Sequence, residues 1–413
     1  MTENTGKKLL VLSYCFPPLL VPRSIQIMKT VNALPVRGWK PTVYTVDPAC
    51  TVNRMDQALL DAVDPAVTIV RGRSIENNFL SNVMASLSLQ MPDDKLPWYW
   101  LGVKKARQII DEGCNAVMSF GVYWTAHLFG LNLKKKTGLP WLIHFSDPWV
   151  DNPYHSYPPG IGAVNRRMER AVVKHADVVF FTSEQTRSLV MKKYPREWLA
   201  KAFVLPHSFD RRMYPAEPSQ NDKLVLTHTG SFYKKRTPET LFNALRLLID
   251  RLPEAAEQIT VRHVGPLRDK YKAMIDDLNI GTMVETIKPV PYLESLRYIS
   301  SADVLLLIDA PSDGPSVFLP SKLIDYLGSG NPVLGITPET GTSADLIRCV
   351  NGIVVDPLNV NGIADALERI YTAWRHDRSL QEFRYSQECI QEYDVATTTD
   401  QLVSHLNRLT FSS

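Results

Sequence analysis

The sequence predicts an α/β protein made of two doubly wound parallel sheets, one after the other along the chain. Three observations predict it. Short apolar, β-branched runs alternate with helical stretches, an order that marks parallel sheets rather than hairpins. The alternation comes in two series, separated by the polar stretch PAEPSQNDK (Pro215–Lys223). The length of 413 residues suits two domains, at roughly 100–200 residues each.

In the first series, KLLVLSY (Lys8–Tyr14) reads as a buried strand stopped by Pro17 and Pro18. The pattern predicts a helix from about Ser24 to Arg37, ended by Gly38. Strands follow at Pro41–Asp47, Ala66–Gly72, Ala116–Gly121, Pro140–Asp147 and Asp177–Ser183. The second series opens with a strand at Lys223–Ser231 and a helix at Pro238–Arg251. Strands at Gln258–Pro266, Asp303–Asp309, Pro332–Ile336 and Gly352–Asp356 continue it, and helical patterns run from about Val360 to Leu409. Two Rossmann-like halves result, with a border near VLPHSFD (Val204–Asp210).

Composition narrows the function. Apolar residues make up 45% and charged residues 22%, ordinary for a soluble globular protein. A net charge of +3 gives no case for a nucleic-acid partner. The five cysteines form no C-x-x-C pair, which fits free thiols in a reducing compartment. The polar start MTENTGKK is followed by LLVLSYCF, too short for a membrane span and without a clean cleavage site. The expectation is a cytoplasmic protein, with peripheral contact at the inner face of the membrane left open. The stretch Phe79–Met91, followed by Trp98, Tyr99 and Trp100, reads either as a surface that touches a bilayer or as a helix packed on the core.

Doubly wound sheets bind ligands at the carboxyl ends of their strands. No G-x-G-x-x-G opens either half, which argues against a dehydrogenase. The stretch SVFLPSKLIDYLGSGNPVLGI (Ser316–Ile336) is mostly apolar, yet carries Lys322 and Asp325 in its middle. Pro320 and Ser321 read as the start of a helix running to about Leu327, with proline in the first turn and serine as cap. The free N–H groups of such a start suit a phosphate. Lys322 in the first turn opposes the helix dipole, a conflict that an anionic ligand removes. Asp325, three residues on, shares its face and could accept hydrogen bonds from ribose hydroxyls. The plainer reading is a Lys–Asp pair on a solvated face.

The run FLPSKLIDYLGSGNPVL resembles the donor-site signature of GT-B, family-4-type retaining glycosyltransferases, the group that builds polysaccharides and glycolipids. The resemblance implies two Rossmann-like domains facing across a cleft: residues 1–205 binding the acceptor, residues 206–385 binding a nucleotide sugar, and a helix in 386–413 packing back on the first. It places Asp325 on the ribose and Ser321 and Lys322 near the diphosphate. VLTHTGSFYKKRTPETLFNAL (Val225–Leu245) resembles the family's Gly-Arg-x5-Lys segment, with Gly230 for the glycine and Arg236 for the phosphate-holding lysine. Ser231 stands where an arginine is usual, so phosphate binding shifts to Lys234, Lys235 or Arg236; the alternative is a basic surface turn. Backbone near Val290, Pro291 and Tyr292 then borders the base.

The N-terminal half resembles the same family. The loop in SYCFPPLLVPRSIQ (Ser13–Gln26) is proline-rich where the family has glycines, and Arg23 is either a phosphate contact or a surface arginine. The family's Arg-Asp-x-Trp pattern appears as Ser146-Asp147-Pro148-Trp149. Asp147 is the leading candidate at the reacting centre, with Trp149 as a wall for the acceptor. His127, His144 and His207 are further candidates, each weighed against a structural role. Of the family's paired glutamates, Asp325 stands for the second; the first falls on Val317 and is missing, leaving Asp313 or Ser316 to cover it.

The resemblance implies sugar transfer from a nucleotide diphosphate to a hydroxyl of a glycan or lipid-linked acceptor, with retention of configuration. Arg236, Lys322 and the helix start would stabilise the leaving diphosphate. No Asp-x-Asp motif is present, so neither a metal nor another cofactor is expected. The alternatives are a nucleotide-sugar epimerase of the same fold and a nucleotide-sugar-binding protein without catalysis.

Overall fold

The computed structural model describes residues 6–76, 91–153, 156–158, 160–215, 221–312, 314–385 and 387–411. The chain divides into two compact units, Met1–Ser208 with Val395–Ser413, and Phe209–Asp394. The divisions fall after Ser208 and Asp394, where the sequence reading put them after 205 and 385.

The first unit is built on a seven-stranded sheet of β1 (Lys7–Leu12), β2 (Trp39–Val46), β3 (Thr68–Gly72), β4 (Ala116–Phe120), β5 (Trp141–Phe145), β6 (Val178–Phe181) and β7 (Ala202–Val204). Its order is β3-β2-β1-β4-β5-β6-β7, parallel throughout. Every residue of β4, β5 and β6 is buried. Helices on both faces of a parallel sheet cause this, and it is why these strands read as continuous apolar runs rather than as alternation. The core gathers Trp98, Phe129, Trp141, Phe145 and Trp149. Each such side chain contributes about 1.5–3 kcal/mol through its burial.

The helix expected over Ser24–Arg37 is shorter. It spans Pro22–Asn32 and is followed by a separate 3-10 turn at Pro35–Arg37. Pro35 has no N–H to give the carbonyl of Val31, so the α-helical ladder cannot continue. Within the same unit, the helix Val395–Phe411 lies against the sheet edge and the chain start. Gln401 Nε2 donates to Val204 O at 2.9 Å, and Lys7 Nζ to Thr410 Oγ1 at 2.9 Å.

The second unit is built on β8 (Leu224–Thr229), β9 (Ile259–Val264), β10 (Val284–Ile287), β11 (Val304–Ile308), β12 (Val333–Ile336) and β13 (Ile353–Val355). The order is β10-β9-β8-β11-β12-β13, again all parallel. From β8 the chain first moves outward through β9 and β10, then returns to start β11 on the other side. The junction of β8 and β11 is therefore a topological switch point, where the carboxyl ends leave a crevice. The helices Glu239–Arg251 and Val360–His376 pack together on this sheet. They bury Leu241, Leu245 and Leu248 of one and Ile363, Leu367, Ile370 and Trp374 of the other, the three-and-four spacing of a helix with one apolar face.

Among the described residues, no helix is long and apolar enough to cross a membrane. The expectation for the Phe79–Met91 stretch lies outside the described residues, save Met91, and so does that for Asp313.

Candidate active site

The most chemically charged part of the second unit lies at its switch point. β8 ends in His228-Thr229 and runs into Gly230; β11 ends at Ile308 and runs into Asp309. The helix Ser321–Ser329 starts nearby and brings Lys322 against the end of β8. Pro320 holds the cap position in an extended conformation without a capping side-chain bond, and Ser321 is the first helical residue. This reverses the expected roles, because an extended, N–H-free proline serves as the entry. It still leaves first-turn N–H groups without a side-chain cap.

Lys322 does not turn outward to pair with Asp325, so the solvated-face reading fails. Its Nζ reaches back to β8, 2.8 Å from Thr229 O and 3.1 Å from His228 Nε2. Its pKa is lowered to about 7, first by burial and then by the Arg236 charge, with Asp309 opposing both. Gly230 passes directly over the ammonium. It has φ of +105°, and a Cβ there would come within 3.2 Å of Lys322 Nζ. Glycine is required on both counts, backbone conformation and space.

Arg236 is held by an ion pair to Asp309, whose Oδ1 also accepts from Ala310 N at 3.0 Å. The Tyr233 ring lies 5.0 Å from the guanidinium carbon. The basic turn after β8 is therefore anchored at its last member. Lys234, by contrast, is exposed, with φ of 53°. Asp325 is half-buried. Its Oδ1 accepts from Tyr292 Oη at 2.9 Å, and its backbone carbonyl accepts from Tyr214 Oη at 2.8 Å. Tyr292 opens the helix Tyr292–Ser300 directly after Val290 and Pro291. The Val290–Pro291 segment and Asp325 are thus joined through one phenol. Burial first, then the Asp325 charge, push Tyr292 well above the usual phenol range, so it stays a donor. Ser316 is buried, and its backbone is occupied in a bridge to Gly341.

Sequence reasoning missed His228, His263 and Asp309 at this site. His228 and His263 face each other in the β8–β9 register and contact through their Nδ1 atoms at 3.0 Å. Phe232 stacks on both rings, at 4.6 and 4.8 Å. The signal was present: both strands end in a histidine two residues before a glycine, HTG and HVG. Burial leads the causes that hold His228 well below the normal imidazole pKa and bring His263 down to about 4.

In the first unit several candidates gather around Arg23. Arg23 is buried, not a surface arginine. Its Nη2 lies 2.8 Å from His144 Nδ1 and 3.3 Å from His144 O, with the Phe120 ring 5.1 Å away. His144 Nε2 donates to Leu205 O at 3.0 Å, so its Nδ1 is the acceptor for Arg23. Burial, then the Arg23 charge, depress His144. Arg23 and His144 thus form an internal clamp, and with Phe120 and His207 they line a small cavity.

His127 is a correction. It is fully buried, with Nδ1 2.8 Å from Ser119 Oγ, which also accepts from Trp141 Nε1 at 3.0 Å. Burial, then Arg23, bring it down to about 3. It is a neutral imidazole buried in the core. Trp149 is a second correction: it stacks on Trp124 at 5.3 Å and donates from Nε1 to Asn165 Oδ1 at 2.8 Å, inside the core. Asp147 remains a candidate. It follows β5, is half-buried, and has its pKa raised by burial, against the opposing Arg23 charge and a Ser146 hydrogen bond. Among the described residues, no group of three or more His, Cys, Asp or Glu side chains gathers where it could hold a metal ion.

Comparison with known proteins places this architecture. Residues 25–198 match the glycosyl transferase 4-like domain. No curated protein matches the sequence significantly. Among solved structures, Anabaena Alr3699/HepE in complex with UDP superposes with a TM-score of 0.67 at 16% identity, over 97% of this chain and 100% of that one. Sucrose-phosphate synthase from Thermosynechococcus elongatus gives 0.69 at 18% identity, over 98% and 100%. The S. aureus MnaA–UDP structure gives 0.58 at 16%, over 97% and 96%. At such identities the likeness shows the fold. This protein thus has the GT-B fold, and its residues 25–198 match the glycosyl transferase 4-like domain.

Proposed function

We propose that the protein moves a sugar from a nucleotide-diphosphate sugar to a hydroxyl of a glycan or lipid-linked acceptor, with retention of anomeric configuration. One observation carries the reading: Lys322, Arg236 and Gly230 meet where β8 and β11 end, and Asp325 lies one turn along the same helix as Lys322. Two cations and a side-chain-free backbone turn suit a diphosphate. A half-buried carboxylate, fixed by Tyr292, suits a pair of ribose hydroxyls. HepE, which shares the fold, binds UDP and UDP-glucose, and UDP is the first donor nucleotide to try.

In this reading Lys322 and Arg236 stabilise the charge that develops on the departing diphosphate. They supply it without a metal ion, so transfer survives EDTA. Arg236 releases part of its Asp309 contact to the phosphates. Retention follows if the acceptor oxygen attacks from the face the diphosphate leaves, with no covalent enzyme intermediate. Asp147 is the carboxyl offered to the acceptor side. Contact with a membrane surface is peripheral and serves the lipid-linked acceptor.

The test is incubation with UDP-, GDP- and dTDP-sugars and a membrane extract. Transfer to lipid or glycan, with product configuration read by proton NMR, supports the proposal. Formation of an epimer, or nucleotide binding without any turnover, removes it. Arg236→Ala and Lys322→Ala should each lower transfer by roughly 10²–10³-fold; full activity in either would show that the charges act elsewhere.

A further inference from the structure

The imidazoles at the ends of β8 and β9 form a hydrogen-bonded line that ends on Lys322. Its direction follows from elementary chemistry. At one end, His263 Nε2 lies 3.4 Å from Pro266 O. A carbonyl only accepts, so Nε2 carries the hydrogen, and neutral His263 has a bare Nδ1. That Nδ1 faces His228 Nδ1 at 3.0 Å. Two bare nitrogens, or two N–H groups, would repel at this distance, so His228 carries its hydrogen on Nδ1. Its Nε2 is then a lone-pair acceptor, 3.1 Å from Lys322 Nζ. Lys322 must donate there, and it must also donate to Thr229 O at 2.8 Å.

The line therefore consumes two N–H bonds of Lys322 whatever its charge. A neutral amine has two, and its lone pair would point at the remaining direction. An ammonium has a third N–H to place there. That direction lies under Gly230, where a Cβ would stand 3.2 Å from Nζ. An anion approaching over Gly230 meets a lone pair if Lys322 is neutral and a donor if it is charged.

We propose that His228, itself oriented by His263, is a positioning residue whose Nε2 accepts one N–H of Lys322 while Thr229 O accepts a second, so that a diphosphate binds at the third N–H and binding is coupled to uptake of one proton. The proposal rests on the reading of this site as a nucleoside-diphosphate site. The groups facing Lys322 are consistent with it. Burial and the Arg236 charge disfavour the ammonium, and the Asp309 charge favours it. With its pKa near 7, Lys322 is largely uncharged at pH 8, and a bound diphosphate restores its charge. The proton comes from solvent and ends on Lys322 Nζ; no bond of the diphosphate changes.

The experiment is calorimetric titration of the full chain with UDP and with inorganic pyrophosphate at pH 8, in buffers of different ionisation enthalpy. At that pH the terminal phosphate of UDP, with a second pKa of about 6, takes up little itself; pyrophosphate serves to read affinity alone. The expected uptake is close to one proton per UDP. The variants His228→Leu and His263→Phe should weaken UDP binding by about tenfold, the effect of one hydrogen bond to a charged group, and cut the proton uptake. His228→Gln and His263→Asn keep an acceptor and should restore most of the affinity. A merely structural role for the histidines would leave proton uptake in the folded variants unchanged, and that result overturns the proposal. Nitrogen-15 spectra of the ligand-free protein give an independent reading: His228 protonated on Nε2 rather than Nδ1 also overturns it. Wild-type protein that binds neither UDP, GDP nor pyrophosphate would remove the functional reading itself; UDP binding without proton uptake removes only this inference.

Discussion

At the scale of single residues, the buried amine of Lys322 gives the fold a pH dependence that can be read. Lys322 has its folded pKa lowered from 10.5 to about 7. The unfolded chain therefore binds more protons than the folded one between those values, and stability gains from Lys322 as pH rises from about 7 towards 10.5. Below pH 7 the buried charge is a standing cost. The variant Lys322→Met removes both. The difference in melting temperature, variant minus wild type, should be positive at pH 7 and shrink towards pH 10; a difference that does not depend on pH would contradict the assignment. Saturating UDP should reverse the order, since only the wild type has a cation to offer it. Gly230→Ala tests the same spot from the backbone side. A left-handed alanine costs about 1–3 kcal/mol, and its methyl would crowd Lys322 Nζ. Both lower stability in a urea titration, and nucleotide affinity should fall with them.

At the scale of elements, the helix Ser321–Ser329 is the lever that holds the site together, and much of it was legible. Its start and its stop at Gly330, which is left-handed at φ 81°, follow from ordinary capping signals. Its inner face was not legible, because Tyr326 looks like any apolar helix residue. In the structure its Oη accepts from Thr229 N at 3.1 Å and donates to Leu306 O at 3.2 Å, tying the helix to both β8 and β11. Tyr326→Phe leaves that buried N–H without its partner, a loss of about 1–3 kcal/mol, and should loosen Lys322 with it. Hydrogen exchange at Thr229 N and the affinity for UDP should both change; unchanged exchange would mean the phenol is incidental.

The same scale explains what the sequence hid. β10 reads VETI, and β7 is only AFV; an edge strand needs neither length nor a continuous apolar run. His127 and His144 each end or follow a strand, as cleft residues do, yet their partners, Ser119 and Leu205 O, come from neighbouring strands or segments beside them. Trp149 misled for the same reason: its partners Trp124 and Asn165 come from other elements. The pair His228–His263 was a register relation, visible only once β8 was laid beside β9.

At the scale of the whole molecule, each unit has its own sheet and its own apolar core. The proposed nucleotide contacts come from residues of Phe209–Asp394 alone, and this makes a division of labour testable. Trp149→Ala empties a large volume from the core of the first unit, where it is 1% exposed, and should cost that unit about 3–5 kcal/mol. If the nucleotide is gripped only by the second unit, UDP affinity in this variant should stay within about twofold of wild type, well below the tenfold step of about 1.4 kcal/mol. Hydrogen exchange read by mass spectrometry should then separate the two effects. The variant should show faster exchange in peptides from β4, β5 and the helix Ile161–His175, whose Asn165 loses its indole donor. Added UDP should slow exchange in β8, β11 and the helix Ser321–Ser329, in variant and wild type alike. UDP protection centred on β1 to β6, with the second unit unchanged, would place the nucleotide in the other sheet and overturn the site described here.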